Sequence, residues 1–254
     1  MLSYRKLTAL LMIMCLPVLT LASTTEQLQT AASKGNVAFV LVTEPGATGI
    51  DQIRQNIQEA MSQVDGSVML ESNRADAANT EFVQKYGLAT APMPLILVFA
   101  SNGVIAGGNA ASRLNVQQLI AMVPSPRKAE VLKAIQSGQA AYVTAFRSGM
   151  TTAPDVTKGC AAACARMMGK GTTIEVNMDD PDEREFLTQL KVNLQSQEPV
   201  TVVINAKGQV TGSFTGIVEV DNLIASATKV VSSGCCPSGS GASCGPTTKK
   251  TGGK

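Results

Sequence analysis

A chain of 254 residues with 44% apolar content is long enough for two small domains, each with a buried core. It has no histidine and no tryptophan, which excludes His-based triads, His general bases and His-containing metal sites and leaves cysteine as the carrier of soft chemistry. Basic and acidic residues nearly cancel, at 21 against 19, and no basic stripe is interleaved with aromatics, so nucleic-acid binding is excluded too.

Residues 1–23 read as a secretory signal. Arg5 and Lys6 form a basic start, Leu7 to Leu21 an apolar stretch broken by Pro17, and Ala22-Ser23 a small-residue cleavage zone. An apolar run of about 15 residues is short for a bilayer, so no stable span is expected after cleavage. Cys15 lacks the small residues that would precede a lipoprotein cysteine. The signal predicts an exported protein, periplasmic or secreted, in an oxidising compartment. Its removal leaves 19 basic and 19 acidic residues, a formal charge of zero.

From Thr24 the pattern predicts helix, strand, helix, strand, helix, hairpin, helix. Glu26 to Lys34 is a short polar helix stopped by Gly35. Val37 to Val42 is a nearly continuous apolar run, as in a strand covered on both faces. Ile50, Ile53, Ile57, Ala60, Met61 and Val64 share one helical stripe. Val68-Met69-Leu70 makes the second strand, and Phe82, Val83 and Tyr86 give the third helix its apolar face. Then comes Met93-Pro94-Leu95-Ile96-Leu97-Val98-Phe99, a turn closing on Gly103, and a second short apolar run. The proline belongs at the first residue of a strand, and the turn reads as a hairpin connection. Val116, Leu119, Ile120 and Val123 form the closing helix.

The same order returns about 104 residues later. Gly138, Ala141, Tyr142 and Val143 match Gly35, Ala38, Phe39 and Val40; Glu185-Phe186 matches Glu81-Phe82; Pro199 and Gly208 match Pro94 and Gly103. Two units at this period are tandem domains, because a solenoid needs at least three stacked repeats. The expected division is 24–124 and 125–231, with Pro124-Ser125-Pro126 at the boundary and Lys128 to Gln136 leading the second domain. Residues 232–254 have the composition of a flexible tail.

A proline opening a buried hairpin, with a helix on either side, resembles the second half of the thioredoxin fold. The resemblance implies an α/β protein of two tandem thioredoxin-like domains, each a mixed β-sheet flanked by helices. It also implies that Pro94 and Pro199 are cis and face the position of the redox cysteines. In that family a Cys-x-x-Cys follows the first central strand. The first domain has Thr43-Glu44-Pro45-Gly46-Ala47-Thr48-Gly49 there, without cysteine, and is expected to be redox-silent.

The second domain has a longer loop, Arg147 to Gly159, followed by Cys160-Ala161-Ala162-Ala163-Cys164. A helix opening near Gly159 would place Cys160 at its positive end as nucleophile, with Cys164 one turn along as resolving thiol and Lys158 and Arg166 adding positive potential. The same pair could grip a soft cation, copper or zinc. Its spacing is similar to the Cys-x-x-x-Cys of thioredoxin-like copper chaperones serving cytochrome oxidase, which also use a histidine that this chain lacks. The bland alternative is two small apolar residues packed beside Met167 and Met168.

The tail carries Cys235, Cys236 and Cys244, able to exchange disulfides, bind metal or form static bridges. Five cysteines after signal removal is an odd number, so at least one is free, metal-bound or intermolecular. Asp179-Asp180-Pro181-Asp182-Glu183 reads as helix capping rather than catalysis, and Gly103, Gly107 and Gly108 as hairpin residues rather than a phosphate loop. Three functions stay open: thiol–disulfide exchange through the second domain and tail, which the sequence favours; soft-metal carriage; and a non-enzymatic binding or scaffold module. A protein partner or thiol substrate is expected, and no cofactor is certain.

Overall fold

The computed structural model describes residues 22–231; the signal segment and the tail with Cys235, Cys236 and Cys244 lie outside the described residues. A Ser23/Glu26 capping box starts helix α1 (Thr24–Ser33), satisfying backbone donors that no helical carbonyl can reach. Gly35, in the left-handed region at φ +70°, turns the chain out of it. Strand β1 (Val37–Thr43) follows, then α2 (Ile50–Met61), β2 (Ser67–Asn73), α3 (Thr80–Lys85), β3 (Leu95–Phe99), β4 (Ile105–Ala110) and α4 (Val116–Ala121). In the sheet, β1 runs parallel to β2 and antiparallel to β3, and β4 closes the edge, giving the order β2-β1-β3-β4. The apolar run of β1 is explained by its central place. Val40 and Val42 pack with Phe82 and Phe99 on one face, and Phe39 and Leu41 with Ile57 and Leu119 on the other.

The second unit repeats this strand for strand. It comprises α5 (Pro126–Gln136), β5 (Ala140–Phe146), α6 (Ala153–Arg166), β6 (Gly171–Asn177), α7 (Arg184–Gln189), β7 (Val200–Ile204), β8 (Val210–Thr215) and α8 (Val220–Thr228). Its order is β6-β5-β7-β8, with the same strand directions. Even the irregularity recurs: the register slips between Val98 and Phe99 in β3 and between Val203 and Ile204 in β7.

The repeat also reaches the polar joints, which periodicity does not expose. Asn73 and Asn177 each accept the amide of the residue two further on, at 3.0 Å. Asp76 and Asp180 cap matching 3₁₀ turns, accepting from Ala78 and Asp182 at 3.0 Å. Asn79 is buried and its Oδ1 accepts from the Thr24 amide (3.1 Å) and Thr24 hydroxyl (2.7 Å), fixing the start of α1. Glu183 stands at the matching position, 2% exposed; its carboxylate accepts from the Ser125 hydroxyl (2.6 Å) and Arg127 amide (2.8 Å), fixing the start of α5. Asp180 and Glu183 of the acidic cluster therefore cap or anchor backbone, as charge at a helix start favours.

Helix α5 also joins the two units. Ala129 and Leu132 pack on Ala100 and Val104 of the first hairpin. Asn102 donates to the Ala129 carbonyl and Gln136 to the Ile105 carbonyl, both at 2.8 Å. Among the described residues no helix is long and apolar enough to cross a membrane.

Candidate functional site

The carboxyl ends of β1 and β5, before the prolines that open β3 and β7, are where the resemblance places redox thiols. Both ends hold an arginine paired with a carboxylate. In the first unit Arg74, just past β2, pairs with Glu44, just past β1, and donates to the carbonyls of Leu88 (3.2 Å) and Ala91 (2.8 Å) in the loop before Pro94. In the second unit the charges are exchanged between strands. Arg147, just past β5, pairs with Asp179, just past β6, at 2.8 Å, and donates to the carbonyls of Leu194 and Ser196 in the loop before Pro199. A guanidinium suits this role because its fork of donors holds several acceptors at once. Each pair fixes the approach to its proline and offers no nucleophile.

The Met93–Pro94 peptide is cis; the Glu198–Pro199 peptide is not, which corrects the expectation of cis geometry at both. An X–Pro bond prefers trans by only about 0.5–1 kcal/mol, so the preceding loop decides. Before Pro199, the Ser196 hydroxyl donates to the Glu198 carbonyl (2.7 Å) and accepts from the Glu198 amide (3.3 Å). This local turn delivers the chain to β7 without the isomer change.

The cysteines lie elsewhere than expected. Helix α6 opens at Ala153, not near Gly159, with Pro154 and Asp155 in its first turn. Both residue types favour a helix start, so Thr152-Ala153-Pro154-Asp155 was the legible signal. Cys160 consequently sits two turns inside the helix, away from its positive end, and is fully buried. Its sulfur lies 3.5 Å from Thr144 Oγ1 and 3.9 Å from Thr201 Oγ1, on the cross-strand pair of β5 and β7. Cys164 is half-buried, its sulfur 3.4 Å from Thr173 Oγ1. Both thiols are free.

Burial pushes both thiols above the ordinary cysteine range, and the neighbouring threonine hydroxyls only partly offset it. The Tyr142 phenol beside them is pushed up as well, by burial first and then by the two sulfurs. A nucleophilic thiol needs the opposite shift. The sign of the linkage is testable. Below the unfolded cysteine value, about 8.5, the thiol contribution to stability is fully present. Above it the unfolded chain ionises before the folded one, so stability falls as pH rises toward the raised folded value. Urea midpoints between pH 7 and 10 are expected to decline, and less steeply in Cys160→Ser; an identical slope in that variant would contradict the burial account.

No family model matches the chain, and no curated protein matches it. Among solved structures it is similar to the first two thioredoxin domains of Naumovozyma dairenensis Eps1p, at 11% identity over 82% of this chain and 96% of that one, TM-score 0.30. It is also similar to the NTD_N/C domain of alkylhydroperoxide reductase AhpF from Enterococcus faecalis, at 15% identity over 80% and 98%, TM-score 0.28. A third is the zinc-bound form of human ERp44, at 11% identity over 79% of this chain and 55% of that one, TM-score 0.35. Strand order, direction and helix placement define the class: the chain is a tandem pair of thioredoxin-like domains.

Proposed function

We propose that this is an exported, non-catalytic binding protein whose two thioredoxin-like units form a scaffold for a protein partner, with its exchangeable thiols in the tail at Cys235, Cys236 and Cys244. One observation carries the reading. At both strand ends where the fold would offer redox cysteines, an arginine and a carboxylate stand instead, while Cys160 is buried two turns inside α6 with Cys164 half-buried one turn further on. The large apolar side chains left exposed among the described residues, Met168, Val210, Ile217, Val230 and Val231, all belong to the second unit, which supports that unit as the partner-facing one. The resulting role is recognition by shape and surface, with thiol exchange confined to the segment after α8.

A disulfide-reduction assay on a protein substrate tests this. The full chain with Cys235, Cys236 and Cys244 all changed to Ser is expected to show no turnover above background, and a further Cys160→Ser change should make no difference. Turnover that survives the tail changes and disappears with Cys160→Ser would restore the second domain as a thiol–disulfide catalyst.

A further inference from the structure

Each unit has an end where its hairpin turn and the exits of two helices come together, and the two ends are treated differently. In the first unit this end is covered by the second unit. Asn102 of the hairpin turn donates to the Ala129 carbonyl at 2.8 Å. Val64 and Val123, just past α2 and α4, share a cleft with Asp182, Glu185 and Phe186 of the second unit. The matching end of the second unit has no such cover among the described residues. There Lys207 takes the place of Asn102, directly before the turn glycine, and the exits of α6 and α8 supply Lys170 and Lys229.

The three lysines border an apolar groove of about 250 Å³ that includes the buried Ala140 and Ala227. No carboxylate lines the groove, and none of the three lysines is ion-paired among the described residues. Val230, at the groove, is 67% exposed. Met168, between the groove residues Met167 and Lys170 in the chain, is 86% exposed. The negative carboxyl ends of α6 and α8 would account for Lys170 and Lys229. They do not account for Lys207, which stands on a hairpin. Positive charge of one sign around an apolar floor is complementary to a surface that mixes carboxylates with apolar side chains. The first unit's end meets a surface of that composition, in Asp182, Glu185 and Phe186.

We propose that this groove docks an acidic, amphipathic segment of a partner protein. Its apolar side chains lie on Val230 and the groove floor, and its carboxylates face Lys170, Lys207 and Lys229. The inference rests on the binding role proposed above and names the surface through which that role acts. Val230 stands five residues before Cys235 in the chain, so a docked partner is held beside the root of the thiol-bearing segment.

The test is fluorescence anisotropy of a fluorescein-labelled amphipathic peptide of Glu, Leu and Ala, titrated with the full chain kept reduced at low ionic strength. Saturable binding is expected, weakening as salt rises, and none for the same peptide with Gln in place of every Glu. Lys170→Gln, Lys207→Gln and Lys229→Gln combined should weaken it about tenfold, the product of three exposed ion pairs. Val230→Asp should weaken it too, and Lys34→Gln, on the first unit, should not. All these side chains except that of the groove valine are charged and all are exposed, so the fold is kept, which circular dichroism checks. No binding of the Glu peptide, or equal affinity in the triple variant, would overturn the proposal. So would binding to phosphatidylglycerol vesicles in place of the peptide, lost in the triple variant, which would make the groove a lipid-facing surface. The disulfide-reduction assay above decides the non-catalytic reading separately: turnover there with groove binding intact overturns that reading alone, and a silent assay with an unaffected triple variant overturns the groove alone.

Discussion

Glu183→Ala is expected to destabilise the second unit by about 3 kcal/mol, because it removes two charge-assisted, partly buried hydrogen bonds at once. The Ser125 hydroxyl and Arg127 amide both give their hydrogen bonds to this one carboxylate, and Glu183 is almost completely enclosed. Together they start α5, the helix that seats the second unit on the first hairpin, so the loss falls on the joint between units as well. Urea unfolding monitored by circular dichroism should show a lower midpoint, with Glu183→Gln in between because it keeps one acceptor oxygen but loses the charge. A change below about 1 kcal/mol, the size of an ordinary solvated hydrogen bond, would mean that the pin has little role.

Phe99→Ala carries the other large effect, about 3–5 kcal/mol, the usual cost of emptying a buried aromatic site. The Phe99 ring is 1% exposed, meets Tyr86 edge-on at 5.3 Å and lies 6.4 Å from Phe82. The second unit fills the corresponding places with Ile204 and Leu190 around Phe186, so the repeat has solved the same packing problem with one aromatic instead of three. Phe99→Ile should for that reason cost well under half as much as Phe99→Ala. Equal losses for the two substitutions would show that ring contacts, rather than filled volume, hold the first unit together.

The sequence pattern and the structure agree wherever burial dictates residue choice. The continuous apolar runs of β1 and β5, the proline-led hairpins and the turn glycines Gly103 and Gly208 all fall in the expected elements. Helix α6 starts earlier than the cysteine spacing suggests because Thr152-Ala153-Pro154-Asp155 is an ordinary helix opening. That difference of six residues changes the chemistry, since it moves Cys160 from a helix end into the core. The arginine plugs were not legible at all. Arg74 and Arg147 occupy different positions of the repeat and converge on equivalent loops only in three dimensions. Glu183 was legible as a helix-start carboxylate, but its partners lie more than fifty residues away, across a contact that no local pattern encodes.

Residue-resolved alkylation of the native chain, purified without reductant and read by mass spectrometry, tests most directly whether the folded units are free of working thiols. Cys160 should stay free and unmodified until the protein is unfolded, with no Cys160–Cys164 disulfide in the isolated material. Rapid native labelling of Cys160, or a Cys160–Cys164 disulfide opened by a mild reductant, would contradict the account and return the second unit to thiol–disulfide chemistry.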